Sequence, residues 1–247
     1  MPSDARTILA TSGGYRYGRR TQLEFDSLVH HAVELSGAHG RRPRVTFVGT
    51  ASGDPRYMNY WAHEAGRVAG FEVTCLDLFP MPNLDDVPGH LLEADVVWVN
   101  GGSVANLLAV WDVHDLRPAM RDAWEAGVVL GGVSAGSICW YLGGCTDSFG
   151  PELRAVTNGL GLLPYGNGVH YDSEETRRPT VHRLVGDGTL PVTHCTDDGV
   201  GLVYRGTELV EAVSEVDGKA AFIVSRDAGA EGGVCEERLE PRRLAAP

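Results

Sequence analysis

Residues 128–140 read VVLGGVSAGSICW, an apolar, β-branched run that enters two glycines and continues into a helix-compatible segment. Residues 132–136 form a Gly-x-Ser-x-Gly pentapeptide with Ser134 at its centre. Between a strand and a helix this motif is typical of a nucleophile elbow, in which a serine occupies a sharp, strained turn. Neighbouring chain then approaches so closely that the positions two before and two after the serine accept only small side chains. The stretch therefore predicts a nucleophilic Ser134; the alternative is a glycine-rich turn with a capping serine.

The segments before this stretch alternate between short apolar strands and helices. The predicted strands lie at 7–11, 44–49, 71–76, 95–99 and 128–130, and the predicted helices at 23–35, 58–69, 103–111 and 116–126. This alternation indicates βαβ units in an α/β fold with a mainly parallel, doubly wound sheet. Such sheets bind ligands at the carboxyl ends of their strands. The residues expected to share that rim are Gly13, Gly14, Gly49, Thr50, Gly101, Gly102 and Ser134.

The chain after residue 142 is expected to be less regular. Residues 143–171 are rich in glycine and proline and are interpreted as loops over the rim. Further predictions are a helix at 177–185, closing antiparallel strands at 199–204, 209–213 and 220–224, and a frayed, charged tail from residue 236. A length of 247 residues favours a single domain spanning residues 1–247.

Charge and cysteine content argue against several function classes. The formal net charge is −12 and Lys219 is the one lysine, so binding to the phosphate backbone of nucleic acids is not expected. Five cysteines without a Cys-x-x-Cys pair, and an N-terminus without a leader segment, favour a reduced, cytoplasmic protein. No apolar run approaches the roughly 18 residues of a membrane helix. The sequence leaves open whether the chain forms a homodimer.

A serine hydroxyl becomes a good nucleophile when a base takes its proton, and that base is usually a histidine oriented by a carboxylate. Of the nine histidines, His170 lies in a glycine-flanked loop past the elbow and is predicted as the base. His194, at the end of a short apolar stretch, is the alternative. The turn that contains Asp197 and Asp198 is best placed to supply the carboxylate. Asp172 is a further candidate, but two residues from His170 in a loop it is expected rather to serve the substrate or the local structure.

The oxyanion hole is expected to combine the backbone N–H groups of Ala135 and Gly102. N–H groups at the start of a helix face developing negative charge, and glycines at 101 and 102 leave the turn unobstructed. No metal site is predicted, because His170-x-Asp172 lacks a third ligand at a usual spacing. No cofactor is predicted either, since the sequence has neither a dinucleotide fingerprint nor a phosphate-loop lysine.

The order Ser134, His170, Asp198, together with GGVSAGS at 131–137 and VNGGSVANLL at 99–108, resembles the peptidase E family. That family contains α-aspartyl dipeptidases and relatives such as the cyanophycinases, on a fold like class I glutamine amidotransferases, a flavodoxin-like three-layer sandwich. The resemblance extends over about residues 7–225. It implies a Ser–His–acid triad in which Asp198, before a glycine, matches the acid, which is Glu in the dipeptidases. Asp197 stays an alternative acid.

The resemblance also implies substrate contacts. An aspartate downstream of the nucleophile is important in family members, and Asp147 is similar in position. In the strict dipeptidases an arginine in a Gly-Glu-Thr-Arg segment reads the substrate's aspartate. Here Glu-Thr-Arg-Arg at 175–178 is similar but lies closer to His170. This departure from the family pattern argues against strict Asp specificity. Arg177 or Arg178 is still expected to pair with a substrate carboxylate, and the alternative is a solvated surface arginine.

The expected activity is that of a serine peptidase of the dipeptidase type, which cleaves short peptides through an acyl-enzyme and favours an N-terminal Asp. One alternative is a cyanophycinase-like isopeptidase or amidase. The other is a non-catalytic binding module on the same scaffold.

Overall fold

The computed structural model describes residues 6–247, leaving aside the side chain of Glu231. The predicted absence of a leader concerns residues that lie partly outside this range. The strands are β1 (Thr7–Thr11), β2 (Tyr15–Arg16), β3 (Glu24–Phe25), β4 (Arg44–Val48), β5 (Glu72–Leu76), β6 (Val96–Val99), β7 (Val129–Val133), β8 (Tyr141–Thr146), β9 (Arg154–Val156), β10 (Leu163–Gly168), β11 (Thr193–Thr196), β12 (Val200–Arg205), β13 (Glu208–Ser214), β14 (Ala221–Arg226), β15 (Val234–Leu239) and β16 (Arg242–Arg243). The α-helices are α1 (Ser27–Ser36), α2 (Arg56–Ala69), α3 (Val87–Glu93), α4 (Val104–Val113), α5 (Leu116–Glu125), α6 (Ala135–Ile138) and α7 (Arg177–Gly186).

The central sheet has the strand order β16-β13-β12-β1-β7-β6-β4-β5. Strands β1, β7, β6, β4 and β5 run parallel, whereas β12 and β13 join the sheet in antiparallel pairs. This arrangement confirms the predicted α/β class with a mostly parallel sheet and later antiparallel strands. The carboxyl ends of β1, β6 and β7 therefore meet at one rim.

Helices cover both faces of the central sheet because its strands are apolar on both sides. In β1, Leu9 belongs to a core cluster with residues of α1 and α2. The neighbouring residues Ile8 and Ala10 belong to a second cluster with residues of α4 and α5. Successive side chains of a strand point to opposite faces, so one buried strand serves two cores. No helix among the described residues is both long and apolar enough to cross a membrane.

A second sheet, with the order β15-β14-β11-β10-β8-β9, shows that two expectations were wrong. Residues 143–171 were expected to form loops, but they contain much of β8 and all of β9 and β10. Their glycines permit close packing: a Cβ on Gly143 would lie 2.0 Å from the carbonyl oxygen of Val156. The tail from residue 236 was expected to fray, but β15 pairs along its length with β14.

The remaining predicted helices and strands are present with shifted ends, most visibly at α1. A helix was predicted from residue 23, but β3 pairs there with β2. Helix α1 starts only after Asp26, whose side-chain Oδ1 accepts the backbone N–H groups of Leu28 and Val29 at 2.8 and 3.2 Å. This N-cap satisfies donors that the first helical turn leaves free, which fixes the start of the helix.

Candidate active site

Ser134 occupies the turn between β7 and α6 with φ 57° and ψ −114°. A positive φ is strained for a residue with a side chain, so the surrounding structure must hold it in place. The two flanking glycines allow the turn to press against β6. A Cβ on Gly132 would lie 2.5 Å from the carbonyl oxygen of Val99, and one on Gly136 would lie 2.1 Å from the same oxygen. The local structure is thus the strand–turn–helix elbow that the motif predicts.

The turn after β6 lies directly against Ser134. A Cβ on Gly101 would be 3.3 Å from the Cβ of Ser134, and Gly102 has φ 140°. Neither the N–H of Gly102 nor that of Ala135 takes part in the backbone hydrogen bonds of turns and caps within residues 6–247. Two backbone donors are therefore available beside the serine.

His170 follows β10 and also has a positive φ, of 53°. Its Nδ1 lies 2.6 Å from Oδ1 of Asp198. This hydrogen bond lowers the pKa of Asp198 despite partial burial, and a hydrogen bond from Ser173 acts in the same direction. Asp198 is therefore an ionised carboxylate that can fix the orientation of the imidazole.

Asp197, the alternative acid, points elsewhere. Its Oδ2 accepts the backbone N–H of Ala220 at 2.9 Å, and the residue is buried. Burial raises the pKa of the Asp197 carboxyl, and the hydrogen bond from Ala220, which lowers it, only partly offsets this effect. Of the two neighbouring aspartates, Asp198 is the one that contacts His170.

Thr11, the last residue of β1, and Ser12, directly after it, bond to the backbone of the elbow, of the base and of the acid turn. The carbonyl oxygen of Thr11 accepts the N–H of Ser134 at 3.1 Å. The hydroxyl of Ser12 accepts the N–H of His170 at 3.0 Å. The carbonyl of Ser12 accepts the N–H of Gly199, the residue after Asp198, at 2.9 Å. Sequence reasoning missed Ser12; its only signal was a serine directly after the central strand, before two glycines.

Asn167 connects the elbow to the strand that leads to His170. Its Oδ1 accepts the hydroxyl of Ser137 in α6 at 2.9 Å, and its Nδ2 donates to the carbonyl of His194 at 3.0 Å. The side chain is buried, so these bonds join three chain segments inside the protein. Asn167 therefore fixes the nucleophile's helix relative to β10.

His194, the alternative base, is a core histidine. It is 3% exposed, its ring stacks on that of Tyr165 at 4.2 Å, and its Nδ1 lies 2.7 Å from the hydroxyl of Tyr204. Burial lowers the pKa of His194 to about 4, so the ring is neutral near pH 7. These contacts explain His194 as a packed aromatic side chain.

The two arginines expected to read a substrate carboxylate have protein partners. Arg177 is 2% exposed and donates to the carbonyl of Cys145 at 2.5 Å and to Glu174 at 2.6 Å. This burial does not fit the expected substrate contact, because a ligand could not reach the guanidinium without displacing these partners. Arg178 lies over the ring of Tyr171 at 4.7 Å and pairs with Glu236 at 3.1 Å.

Asp147 is exposed in the turn after β8. The next residue, Ser148, accepts the N–H of Val104 at 2.9 Å through its hydroxyl. Val104 starts α4 and follows the Gly101–Gly102 turn within two residues, so this contact places the Asp147 turn beside the start of α4. The position is compatible with the predicted role of Asp147 in substrate binding.

The fold and the elbow define an α/β protein with a mostly parallel sheet, a serine at a strand–helix turn and a histidine–carboxylate pair near the same rim. A family model described as peptidase family S51 matches residues 8–212. The uncharacterized peptidase YgaJ of Bacillus subtilis (strain 168) is 35% identical over 219 residues, which cover 89% of this chain and 92% of that protein. The chain belongs to peptidase family S51, the family of peptidase E, and is a serine-type peptidase.

Two solved structures share the fold over most of their length. A peptidase from an acI-B1 Actinobacterium superposes with a TM-score of 0.69 at 17% identity, covering 98% of this chain and 97% of that one. A Listeria monocytogenes EGD-e protein assigned to peptidase E gives a TM-score of 0.62 at 18% identity, covering 85% of this chain and 98% of that one. At these identities the likeness concerns the fold.

Proposed function

We propose that the protein is a dipeptidase-type enzyme that cleaves short peptides through a triad of Ser134, His170 and Asp198. The observation that carries this proposal is the 2.6 Å contact between His170 Nδ1 and Asp198 Oδ1, at the rim where Ser134 occupies its strained elbow. The hydrogen bonds to Thr11 and Ser12 support it, because they hold the elbow, the base and the acid turn to two consecutive residues at and directly after the end of β1.

In this mechanism His170 takes the proton of Ser134 through Nε2 as the hydroxyl attacks the scissile carbonyl. Asp198 accepts a hydrogen bond from Nδ1–H of His170. This bond favours the tautomer in which Nε2 is free to take the proton, and it stabilises the imidazolium that forms. The N–H groups of Gly102 and Ala135 stabilise the oxyanion of the tetrahedral intermediate. His170 then protonates the leaving amine, and water hydrolyses the acyl-enzyme by the same route in reverse. The side chains of Ser134, His170 and Asp198, two backbone N–H groups and one water molecule take part in these steps.

Asp147 is proposed to bind the free amino group of the substrate. An exposed carboxylate beside the oxyanion turn attracts an ammonium group, which would restrict cleavage to a bond near the N-terminus of a short peptide. Since Arg177 is buried and bonded, a preference for N-terminal Asp would depend on Arg178, released from Glu236. We therefore propose Asp as one accepted first residue among several.

The test is a screen of a dipeptide and acyl-peptide library with purified protein, read by mass spectrometry. Wild type and Ser225→Ala, a control serine in β14, are expected to cleave dipeptides with a free amino group, whereas Ser134→Ala should not. Blocked acyl-peptides should resist cleavage. Undiminished cleavage by Ser134→Ala would refute the mechanism. Cleavage of a branched Asp/Arg polymer alone, with no dipeptide hydrolysed, would select the isopeptidase alternative.

A further inference from the structure

Three residues of the segment 170–173 form hydrogen bonds with the proposed triad acid, Asp198. The Nδ1 of His170 meets the carboxylate of Asp198, and a hydrogen bond from Ser173 reaches the same carboxylate. Between them, Oδ1 of Asp172 accepts the backbone N–H of Asp198 at 2.9 Å. Asp172 therefore holds the main chain of the residue whose side chain orients the base.

The second oxygen of Asp172 is paired with the chain's one lysine. Oδ2 contacts Nζ of Lys219, and the two side chains are 25% and 32% exposed. Two further carboxylates, those of Asp197 and Asp198, act on Lys219, and His170 lies against Asp198. The hydrogen bond to Asp172 raises the pKa of Lys219, so the lysine stays protonated. The ammonium group of Lys219 therefore lies near three aspartates, Asp172, Asp197 and Asp198, next to the base–acid pair.

We infer that Asp172 and Lys219 are positioning residues for the base–acid pair. Asp172 fixes the backbone of Asp198, so that the carboxylate of Asp198 contacts His170. Lys219 compensates the negative charge of Asp172, so that Asp198 is the carboxylate whose charge stabilises the protonated base. This inference rests on the proposed triad. The competing explanation is an ordinary surface ion pair, which contributes about 0–1 kcal/mol to stability and leaves catalysis unaffected.

Opposite charge changes distinguish the two explanations. Asp172→Asn keeps an oxygen that can accept the N–H of Asp198 but removes a negative charge and takes away the ion-pair partner of Lys219. The added positive charge beside the base–acid pair should move the acid limb of the kcat/KM profile to lower pH by about half a pH unit. Lys219→Met leaves Asp172 uncompensated, so the same limb should move by a similar amount to higher pH.

Asp172→Ala additionally removes the acceptor. It should lower kcat about tenfold with little change in KM, because the acid is displaced while the substrate contacts remain. Asp187→Asn is the matched control: Asp187 accepts the N–H of Thr189 at 2.9 Å with one oxygen and meets Arg183 at 3.5 Å with the other, at the far end of α7. It should leave both kcat and the pH profile unchanged.

A readout independent of activity comes from the lysine itself. In protein labelled with ¹³C-lysine, the single Lys219 side-chain resonance reports its pKa, which should be lower in Asp172→Asn than in wild type. Asp198→Asn tests the triad separately: full activity in that variant would refute the proposed function. If Asp198→Asn is inactive, while Asp172→Asn and Lys219→Met keep the wild-type pH profile or shift it in the same direction, only the positioning inference is overturned.

Discussion

Replacing Gly136 by alanine should displace the nucleophile. The added Cβ would lie 2.1 Å from the carbonyl oxygen of Val99 and 2.6 Å from its carbonyl carbon, whereas ordinary contacts begin near 3.4 Å. Both atoms belong to the backbone of β6, so no side-chain rotation can make room. The elbow must therefore withdraw from β6 by about 1 Å.

Two consequences follow from a shift of that size. Overpacking of this kind costs about 1–3 kcal/mol of stability, and each kcal/mol lowers the Tm of a chain of this length by about 2–4 °C. Misplacing a reacting group by about 1 Å lowers the rate by about a hundredfold. Gly136→Ala should thus melt several degrees lower and lose most of its kcat/KM while remaining folded at room temperature.

The assay combines steady-state kinetics on the best dipeptide with thermal melting. Gly186→Ala is the size-matched control, because its new Cβ would come no closer than 3.5 Å to any neighbour, the carbonyl oxygen of Gly232. That variant should keep the wild-type kcat/KM. If Gly136→Ala is as active as wild type, or if both variants lose activity equally, the steric account of the elbow is refuted.

Three further predictions concern the surrounding residues. His170→Gln should lose about a thousandfold or more in kcat, whereas His194→Gln should stay within a fewfold of wild type; equal losses in steady-state assays would contradict the choice of base. Ser12→Ala leaves the partly buried N–H of His170 without its acceptor, so kcat should fall about tenfold with KM unchanged; a change confined to KM would contradict this role. Burial, and the negative charge of Glu215, raise the pKa of Asp26 in the folded protein. Above about pH 4 the Asp26 carboxyl keeps its proton in the folded chain but loses it in the unfolded chain, so the free energy of unfolding falls as pH rises. The Tm of Asp26→Asn minus the Tm of wild type should therefore increase from roughly pH 5 to pH 8, and a difference that stays constant over this range would exclude the explanation.

The elbow could be predicted from sequence because its constraints are local. Glycines two residues either side of Ser134 and a β-branched run before it encode the strand–turn–helix geometry within one short segment. The Asp198–Gly199 turn was similarly visible as a break between two apolar runs. Each of these patterns involves neighbours in the chain.

The features that were missed depend on contacts between distant segments. Gly143 and Gly166 suggested loops, but both lie in strands. At each position a neighbouring segment packs so closely that there is no space for a side chain. The roles of Ser12 and Asp172 arise only when β1, β10 and the 197–199 turn come together. The burial of Arg177 likewise follows from its packing against Cys145 and Glu174, which sequence spacing does not reveal.

The most direct test of the serine mechanism is covalent labelling with a fluorophosphonate, followed by peptide mapping by mass spectrometry. The wild-type protein should carry one adduct, on Ser134, and His170→Gln should be labelled at least about a hundredfold more slowly because the base is missing. An adduct on a different serine, or equally fast labelling of Ser134 without His170, would contradict the account.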